Sequence, residues 1–484
     1  MGSNKENEVK KIVADWANKN AGTISKGTNV NSPGKMLKYE RTLMILLIQL
    51  GGLIMAWIIK TRIEDHDFQK TASQKIRASR TEKSKFKRYD FTKVMTLFGN
   101  VVRVRTRYYV PTDKRGRKRK SGKRGQNGSG FYPALEILGI KNGVTPAIAC
   151  DIAREVTEGP SMEAARERFD RRGISLNIKT IKRISETFAK ISLDIREEWL
   201  KTGGQCKTPL IPSGESLKGM NVLIGIDGGK MRTRKKKRGR IPEGKRMQGY
   251  DTNWCEPRLI VIRAIDDIGK VIREIPPIYD GTIDTADPCF ALLEAHLRAR
   301  DIHLAKKIVC ACDGADWIWN RMENMLKGLG ANLSKVSYVV DFFHDFEHIV
   351  EVANGRRGWN QRQRERWLKK MKALLIQGEI ERIIEELNKL ARGRNASTVK
   401  GEIGYFEKHK ERMRYDILRS KNLPIGSGAV ESAIRQVINM RLKGVGTFWL
   451  KKNAEGFLHL RCYLKAGRWD LMENAVINHK KYLG

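Results

Sequence analysis

Two short apolar runs in this 484-residue chain each end in an aspartate followed by glycine: "NVLIGIDGG" closes on Asp227 and "AKKIVCACDG" on Asp313. Such runs read as buried strands, and the glycines let the backbone turn away, leaving the carboxylate at the sheet edge. Two acids at neighbouring strand ends repel, and the economical remedy is a divalent cation between them. A third carboxylate, Glu431, lies in "PIGSGAVESAIRQVINMRLKG", Pro424 to Gly444. In a helix beginning near Ser427, Val430, Ile434, Val437 and Ile438 form one stripe, expected against the sheet, while Ser427, Glu431, Arg435 and Asn439 form another. Three carboxylates of this kind hold two Mg²⁺ ions, one activating an attacking oxygen and the other stabilising the leaving oxygen of a phosphodiester. The plain alternative is a surface pair of Glu431 with Arg435, which stabilises a helix by a few tenths of a kcal/mol. It leaves the Gly-Ser-Gly approach and both strand-end aspartates unexplained.

The charge of the chain agrees with a phosphodiester. Lys and Arg number 94 against 54 Asp and Glu, a formal net charge of +40 that attracts polyanions and makes nucleic acid the leading partner. Arg435, Arg441 and Lys443 follow Glu431 and are expected to hold phosphates beside it. The tract "KMRTRKKKRGR", Lys230 to Arg240, follows Asp227 directly and would bring Lys235, Lys236 and Lys237 to the same place. Val94 to Val110 alternates about a Gly99-Asn100 turn, with Val102, Val104, Thr106 and Tyr108 on one face and Arg103, Arg105 and Arg107 on the other, the arginines being candidates to track DNA phosphates with an ordinary exposed strand face as the alternative. The stretch Asp113 to Gly130, "DKRGRKRKSGKRGQNGSG", has no apolar anchor and reads as a basic loop.

Three regions position these groups. Residues 1–90 read as an N-terminal helical region, and 91–215 as the basic hairpin, the basic linker and a helix-turn-helix-like DNA-binding region. In the latter, Thr145-Pro146 and Ser161 start helices and Asn177 to Arg183 opens the candidate recognition helix. Residues 216–484 read as a mixed α/β sheet flanked by helices, with an all-α insertion at about 350–422. Two strands are expected in "RLIVIRAIDDIGKVIREIP", around Asp267 to Gly269. Seven scattered cysteines without a framework suggest reduced thiols and a cytoplasmic setting, with Cys310 and Cys312 in the core. Thr42 to Ile59 is apolar nearly all round, at the lower length limit for a membrane span. Gln49 and Gly51-Gly52 interrupt it and basic residues flank both ends, so burial in a core or a dimer interface is expected and no membrane. No signal peptide is expected ahead of it.

Taken together, "IGIDGG", "CDGADWIWN", "DFFHDFEHI" and the Pro424 to Gly444 motif resemble bacterial insertion-sequence transposases of the DDE type, most strongly from Met220 onward. The resemblance implies a ribonuclease-H-like catalytic domain in which Asp227, Asp313 and Glu431 are the acidic triad, and an all-α insertion domain between Asp313 and Glu431. It matches Asp341 to His344 with the D-x-x-H motif of the Mutator-like branch. The implied activity is metal-dependent cleavage of double-stranded DNA at the element's terminal repeats, then joining of the 3′-hydroxyl to target DNA. Two Mg²⁺ ions would serve, with Mn²⁺ substituting. A homodimer or higher synaptic assembly is expected from the need to bring two ends together, with residues 42–59 as the candidate dimerisation helix, in a bacterial, nucleoid-associated protein. Asp266, Asp316 and Glu455 are acids that a misread strand end would substitute.

Two rival readings belong to other classes. His344, Glu347 and His348 in "HDFEH" form the H-x-x-E-H pattern of a zinc peptidase, a five-residue match that leaves the charge and the aspartates unexplained. A transposase-derived DNA-binding protein without cleavage activity is the other, and the presence of all three acids argues against it. His344 is read as a residue that positions a DNA phosphate, with a core histidine paired with Asp341 as the alternative. Trp317 and Trp319 are candidate base-stacking residues, with the core as their ordinary home.

Overall fold

The computed structural model describes residues 2–81, 83–112, 130–204, 209–246, 248–444 and 446–483. The chain divides into two compact units, Met1–Ile191 with Val476–Gly484, and Ser192–Ala475.

The first unit opens with helices α1 (Gly2–Ser25), α2 (Pro33–Glu64) and α3 (His66–Ser79). Ser32 and Asp65 cap the last two by accepting the backbone N–H of Lys35 and Phe68. The hairpin follows as β1 (Ser84–Met95) and β2 (Val101–Pro111), reversing through Gly99 at φ 79°. The alternation is as expected: Val102, Val104 and Thr106 are buried while Arg103 and Arg105 are exposed and Arg107 half-buried. Tyr108 departs from the buried row, because the register shifts between Phe86 and Arg88 opposite it. Beneath the hairpin lie Ile59, Ile63, Ala72, Ala134 and Leu135, the last two from α4 (Pro133–Ile137). Helices α5 (Pro146–Glu158), α6 (Met162–Arg171) and α7 (Ile178–Leu200) start at the expected signals, with Ser161 and Asn177 accepting the N–H of Ala164 and Thr180. The basic stretch at 113–129 lies outside the described residues.

Helix α2 corrects one expectation. It is the one helix among the described residues long and apolar enough to cross a membrane, yet only 17% of its apolar window is buried. Gly52, Ile59 and Ile63 are its buried residues, and Met44, Ile45, Leu47, Leu53 and Ile58 are exposed. Its apolar side is therefore not a core of this chain.

The second unit is mixed α/β, built on a five-stranded sheet in the order β7-β6-β3-β8-β9. These are β3 (Asn221–Gly228), β6 (Arg258–Ile265), β7 (Ile278–Thr282), β8 (Lys307–Cys312) and β9 (Val336–Val340), with β4 (Met231–Lys236) and β5 (Tyr250–Cys255) forming a separate hairpin between β3 and β6. β3 runs antiparallel to β6 and parallel to β8, and β8 parallel to β9. Helices α8 (Ala286–Arg298) and α9 (Asp316–Gly328) separate the later strands, as the sequence led one to expect. Cys310 and Cys312 are buried in the core with Ile224, Ile226, Ile308 and Met322. The second strand expected around Val271 is not formed: only an isolated bridge joins Val271 to Ile265, and the strand appears instead at Ile278–Thr282 after Pro276-Pro277. Its centre is charged Asp280, which hides it from a hydrophobic-run reading.

Helix α10 (Phe342–Asn354) leads into an all-helical segment, α11 (Gln361–Ile376), α12 (Ile380–Leu390), α13 (Ala396–His409) and α14 (Tyr415–Ser420). Met371, Leu374, Leu375, Ile380, Ile383 and Leu387 are buried in it. Then come α15 (Gly428–Ile434), α16 (Lys451–Lys465) and α17 (Trp469–Ile477).

Candidate active site

Three parallel neighbours, β3, β8 and β9, end in aspartates. The β3/β8 register pairs Ile224 with Cys310, so three residues on Asp227 comes level with Asp313. The β8/β9 register pairs Cys312 with Val340, and the Asp341 N–H donates to the Cys312 carbonyl at 2.9 Å, so Asp341 comes next in line. Adjacent strands lie about 4.8 Å apart. Asp227 is two residues beyond Gly225 and so shares its face of the sheet. That face receives α15. A Cβ at Gly225 would collide with Cγ2 of Val430, so the missing side chain is what lets the helix lie on β3 and bring Glu431 towards the strand ends.

The approach to α15 is held from β9. Asp341 is buried and accepts the His344 N–H through Oδ1 at 2.7 Å, capping α10. Its Oδ2 accepts the backbone N–H of Ser427. The Ser427 hydroxyl donates to Oε1 of Glu431 at 3.4 Å. Glu431 is exposed and, among the described residues, has no ion-pair partner, so the surface pair with Arg435 is not formed.

Electrostatics distinguish the carboxylates. Burial pushes Asp227 up to about 6, with Asp313, Glu431 and Glu256 adding like charge against the bond it accepts from the Gly228 N–H. Burial likewise raises Asp313; the Ala315 N–H and His344 act against it, while Glu256 and Asp341 add to it. Glu256, which no sequence signal singles out, sits with its carboxylate against Gly228, where a Cβ would collide with Oε1. The donors are hard carboxylate oxygens, half-buried at Asp227 and Asp313 and exposed at Glu431, whose mutual repulsion a divalent cation would relieve, so this donor set fits Mg²⁺. Among the described residues no three His, Cys, Asp or Glu side chains stand close enough together to enclose an ion as placed.

The helix after Glu431 does not continue as the sequence suggests. Arg435–Asn439 is a π turn, so the spacing-by-four row ends at Arg435. Buried Arg461 of α16, which sequence reasoning missed, donates Nε to the Val437 carbonyl at 2.5 Å and Nη2 to that of Gln436. Val430, Ile434, Val437 and Ile438 are all buried, as expected. Arg435 and Lys443 are exposed and open to a phosphate. Arg441 is not: it is buried, with its guanidinium over the Trp449 ring, 4.8 Å from the centroid, which removes it from the phosphate-binding set.

The basic tract forms the β4–β5 hairpin, where Lys235 and Lys236 are exposed and Lys237 pairs with Asp251 at 3.5 Å. Trp449 bonds to β4 on both sides, through its N–H to the Arg232 carbonyl and its carbonyl to the Arg234 N–H, tying the hairpin to the chain that follows the π turn. Arg232 lies over Phe448 and Trp254, and Trp254 is 64% exposed beside it. This aromatic was missed because it stands in a polar strand without apolar alternation.

Trp319 is buried and donates its indole N–H to the Asp313 carbonyl at 2.8 Å, so it belongs to the core and is not placed for base stacking. Trp317 is half-buried, edge-on to Phe290 and under the Arg258 guanidinium. His344 lies on α10 near Asp313 and 3.7 Å from Glu347, its ring 4.9 Å from that of His348, whose Nδ1 is taken up by Glu402 at 2.7 Å. The substitute acids are spent elsewhere: Asp266 caps its turn, Asp316 pairs with Lys408, and Glu455 pairs with Arg196. Arg103, Arg105 and Arg107 belong to the first unit. No protein-family model matches the chain, and no curated protein matches it.

Proposed function

We propose that the protein is a DNA transposase of the DDE type, cutting phosphodiester bonds at element ends and transferring the 3′-hydroxyl to target DNA, with Ser192–Ala475 holding a ribonuclease-H-like catalytic domain. The observation that carries the reading is the alignment of Asp227 and Asp313 at the ends of parallel neighbours, with Glu431 brought to the same face by the Gly225–Val430 contact. The sheet order, with β6 antiparallel to its neighbours β3 and β7 and with β3, β8 and β9 parallel, supports the fold assignment. A net charge of +40 supports the substrate class.

Two Mg²⁺ ions, when bound, would supply Lewis acidity to the attacking and leaving oxygens. Asp227, Asp313 and Glu431 would hold them, with Glu256 and Asp341 as further carboxylates beside them. Ser427 fixes one oxygen of Glu431, and Asp341 fixes Ser427, so the third carboxylate is oriented by a strand end. Arg435, Lys443, Lys235 and Lys236 offer exposed cations to the DNA backbone. A second copy would cover the exposed apolar side of α2 in the paired-end assembly.

The test is cleavage of a labelled duplex carrying the element's own end, with Mg²⁺, Mn²⁺ or EDTA, in the wild type and Glu431→Gln. Metal-dependent nicking at the end, abolished by Glu431→Gln, is expected. Tight binding without cutting in any metal would replace this reading with that of a DNA-binding protein.

A further inference from the structure

The β1–β2 hairpin presents a face that the cleavage reading does not use. Direct cross-strand partners share a face, and the register pairs Tyr89 with Arg107, Phe91 with Arg105 and Lys93 with Arg103. One side of the ribbon therefore carries aromatics along β1 and arginines along β2. Phe91 is 52% exposed and Tyr89 40%; across the register shift Phe86 is 45% exposed, its ring centroid 5.5 Å from that of Tyr89. The arginines interleave with the rings. Arg103 lies over Phe91 at 4.3 Å, and Arg105 over Tyr89 at 5.2 Å. Asp90, the sole carboxylate of the two strands, is on the opposite face, bonded to Arg88 and Tyr132. The face is thus aromatic and cationic, with no acid of its own strands; Glu64 of α2 is spent on the Arg105 backbone N–H at 3.0 Å.

We infer that this face binds unpaired nucleotides of a nucleic acid, with bases stacking on Phe91, Tyr89 and Phe86 and the backbone following Arg103, Arg105 and Arg107. Charge excludes an acid-poor apolar partner as the natural occupant, since three guanidiniums would be left without counter-charge. Geometry favours a single strand over a duplex. Same-face residues on a strand recur about every 6.8 Å, twice the ~3.4 Å rise of stacked bases in B-DNA, so the spacing suits bases splayed apart. A duplex keeps its base faces covered and offers the rings nothing to stack on, whereas every unpaired base has a π-face and the arginine planes extend the platform. The inference needs no cleavage chemistry, so binding is read in EDTA, where no metal is present to support cutting.

The experiment uses the full chain and two probes, a labelled oligo-dT and a duplex of equal length, followed by fluorescence anisotropy over a range of salt. Phe91→Ala and Tyr89→Ala should each weaken oligo-dT binding about tenfold, with duplex affinity held within about twofold. Arg105→Gln should weaken both probes and lower the salt slope by about one. Oligo-dT affinity unchanged in both aromatic variants, or equal losses on both probes, would overturn the inference. A second readout needs no variant: an oligonucleotide bearing 5-iodouracil should crosslink within Ser84–Met95 of the wild type, and crosslinks confined to other segments would also overturn it.

Discussion

The backbone N–H of Ser427 donates to Oδ2 of Asp341, a residue at the end of β9, while the other oxygen of that carboxylate caps α10 through the His344 N–H. One buried side chain thus fixes both the start of α10 and the loop that delivers Glu431. Asp341→Asn keeps a single acceptor oxygen and turns an amide NH₂ towards one of the two donors. Leaving a buried N–H unpaired costs about 1–3 kcal/mol. The expected outcome is a melting temperature lower by several degrees, with faster hydrogen exchange at Ser427 to Glu431. Unchanged exchange there would mean that the loop is held by something else.

Gly225 and Val430 make a second, steric link between sheet and helix. A methyl at Gly225 overlaps Cγ2 of Val430, and overpacking of this kind costs about 1–3 kcal/mol. Gly225→Ala should therefore destabilise, and Val430→Ala should lessen the damage in the double variant. Urea denaturation of the four proteins in the cycle measures the coupling. Strict additivity would show that α15 does not owe its position to this glycine.

Arg461 closes the carbonyls of Gln436 and Val437 where the helix widens into a π turn. Arg461→Met fills the volume but removes the donors, and a buried acceptor at Val437 and a half-buried one at Gln436 go unmet. A loss of about 2–4 kcal/mol is expected, only partly recovered by Lys, whose single ammonium cannot copy a planar fork. Thermal melts of the three proteins decide this, and a neutral Met variant would refute it.

The strand-end aspartates were legible because burial and turning leave a signature within nine residues: an apolar run, an acid, then glycine. The stripe Val430, Ile434, Val437 and Ile438 was legible for the same reason. The π turn was not, since Arg461, which donates to its carbonyls, lies on a later helix and is silent in any local window. Glu256 and Asp280 were invisible for a related reason: a carboxylate gains meaning from what lies across the sheet, and sequence separation hides that. Arg441 illustrates the opposite error, a cation read as solvent-facing by its neighbours but stacked on Trp449 by the fold.

Helix α2 leaves Met44, Ile45, Leu47, Leu53 and Ile58 exposed in a single chain. If a second copy covers them, Ile45→Glu combined with Leu53→Glu should convert a dimer to a monomer in light scattering without lowering the melting temperature of either unit. An unaltered oligomer would exclude α2 from the interface. Co-flotation of the wild type with lipid vesicles, lost in the same variant, would make α2 a membrane-associated segment and end the pairing proposal.

Asp345 on α10 gives the chain a pH dependence of calculable sign. It is fully buried and accepts the hydroxyls of Tyr405 and Tyr415, but burial outweighs both donors and pushes it up to about 7. In the unfolded chain the group titrates near 3.9. Between pH ~4 and ~7 the native state therefore holds a proton that the unfolded state has released, and stability falls as pH rises through that window before levelling off above it. Asp345→Asn keeps the shape and removes the titration. Relative to wild type it should show little gain at pH 4 and a gain of about 1–3 kcal/mol at pH 8, at ~1.4 kcal/mol per unit discounted for relaxation. Tyr405 also covers Gly314, next to Asp313, so the charge on Asp345 acts on a ring that abuts the candidate site. Urea unfolding of both proteins at the two pH values measures the difference, and a gap that does not change with pH would assign the raised carboxyl to another residue.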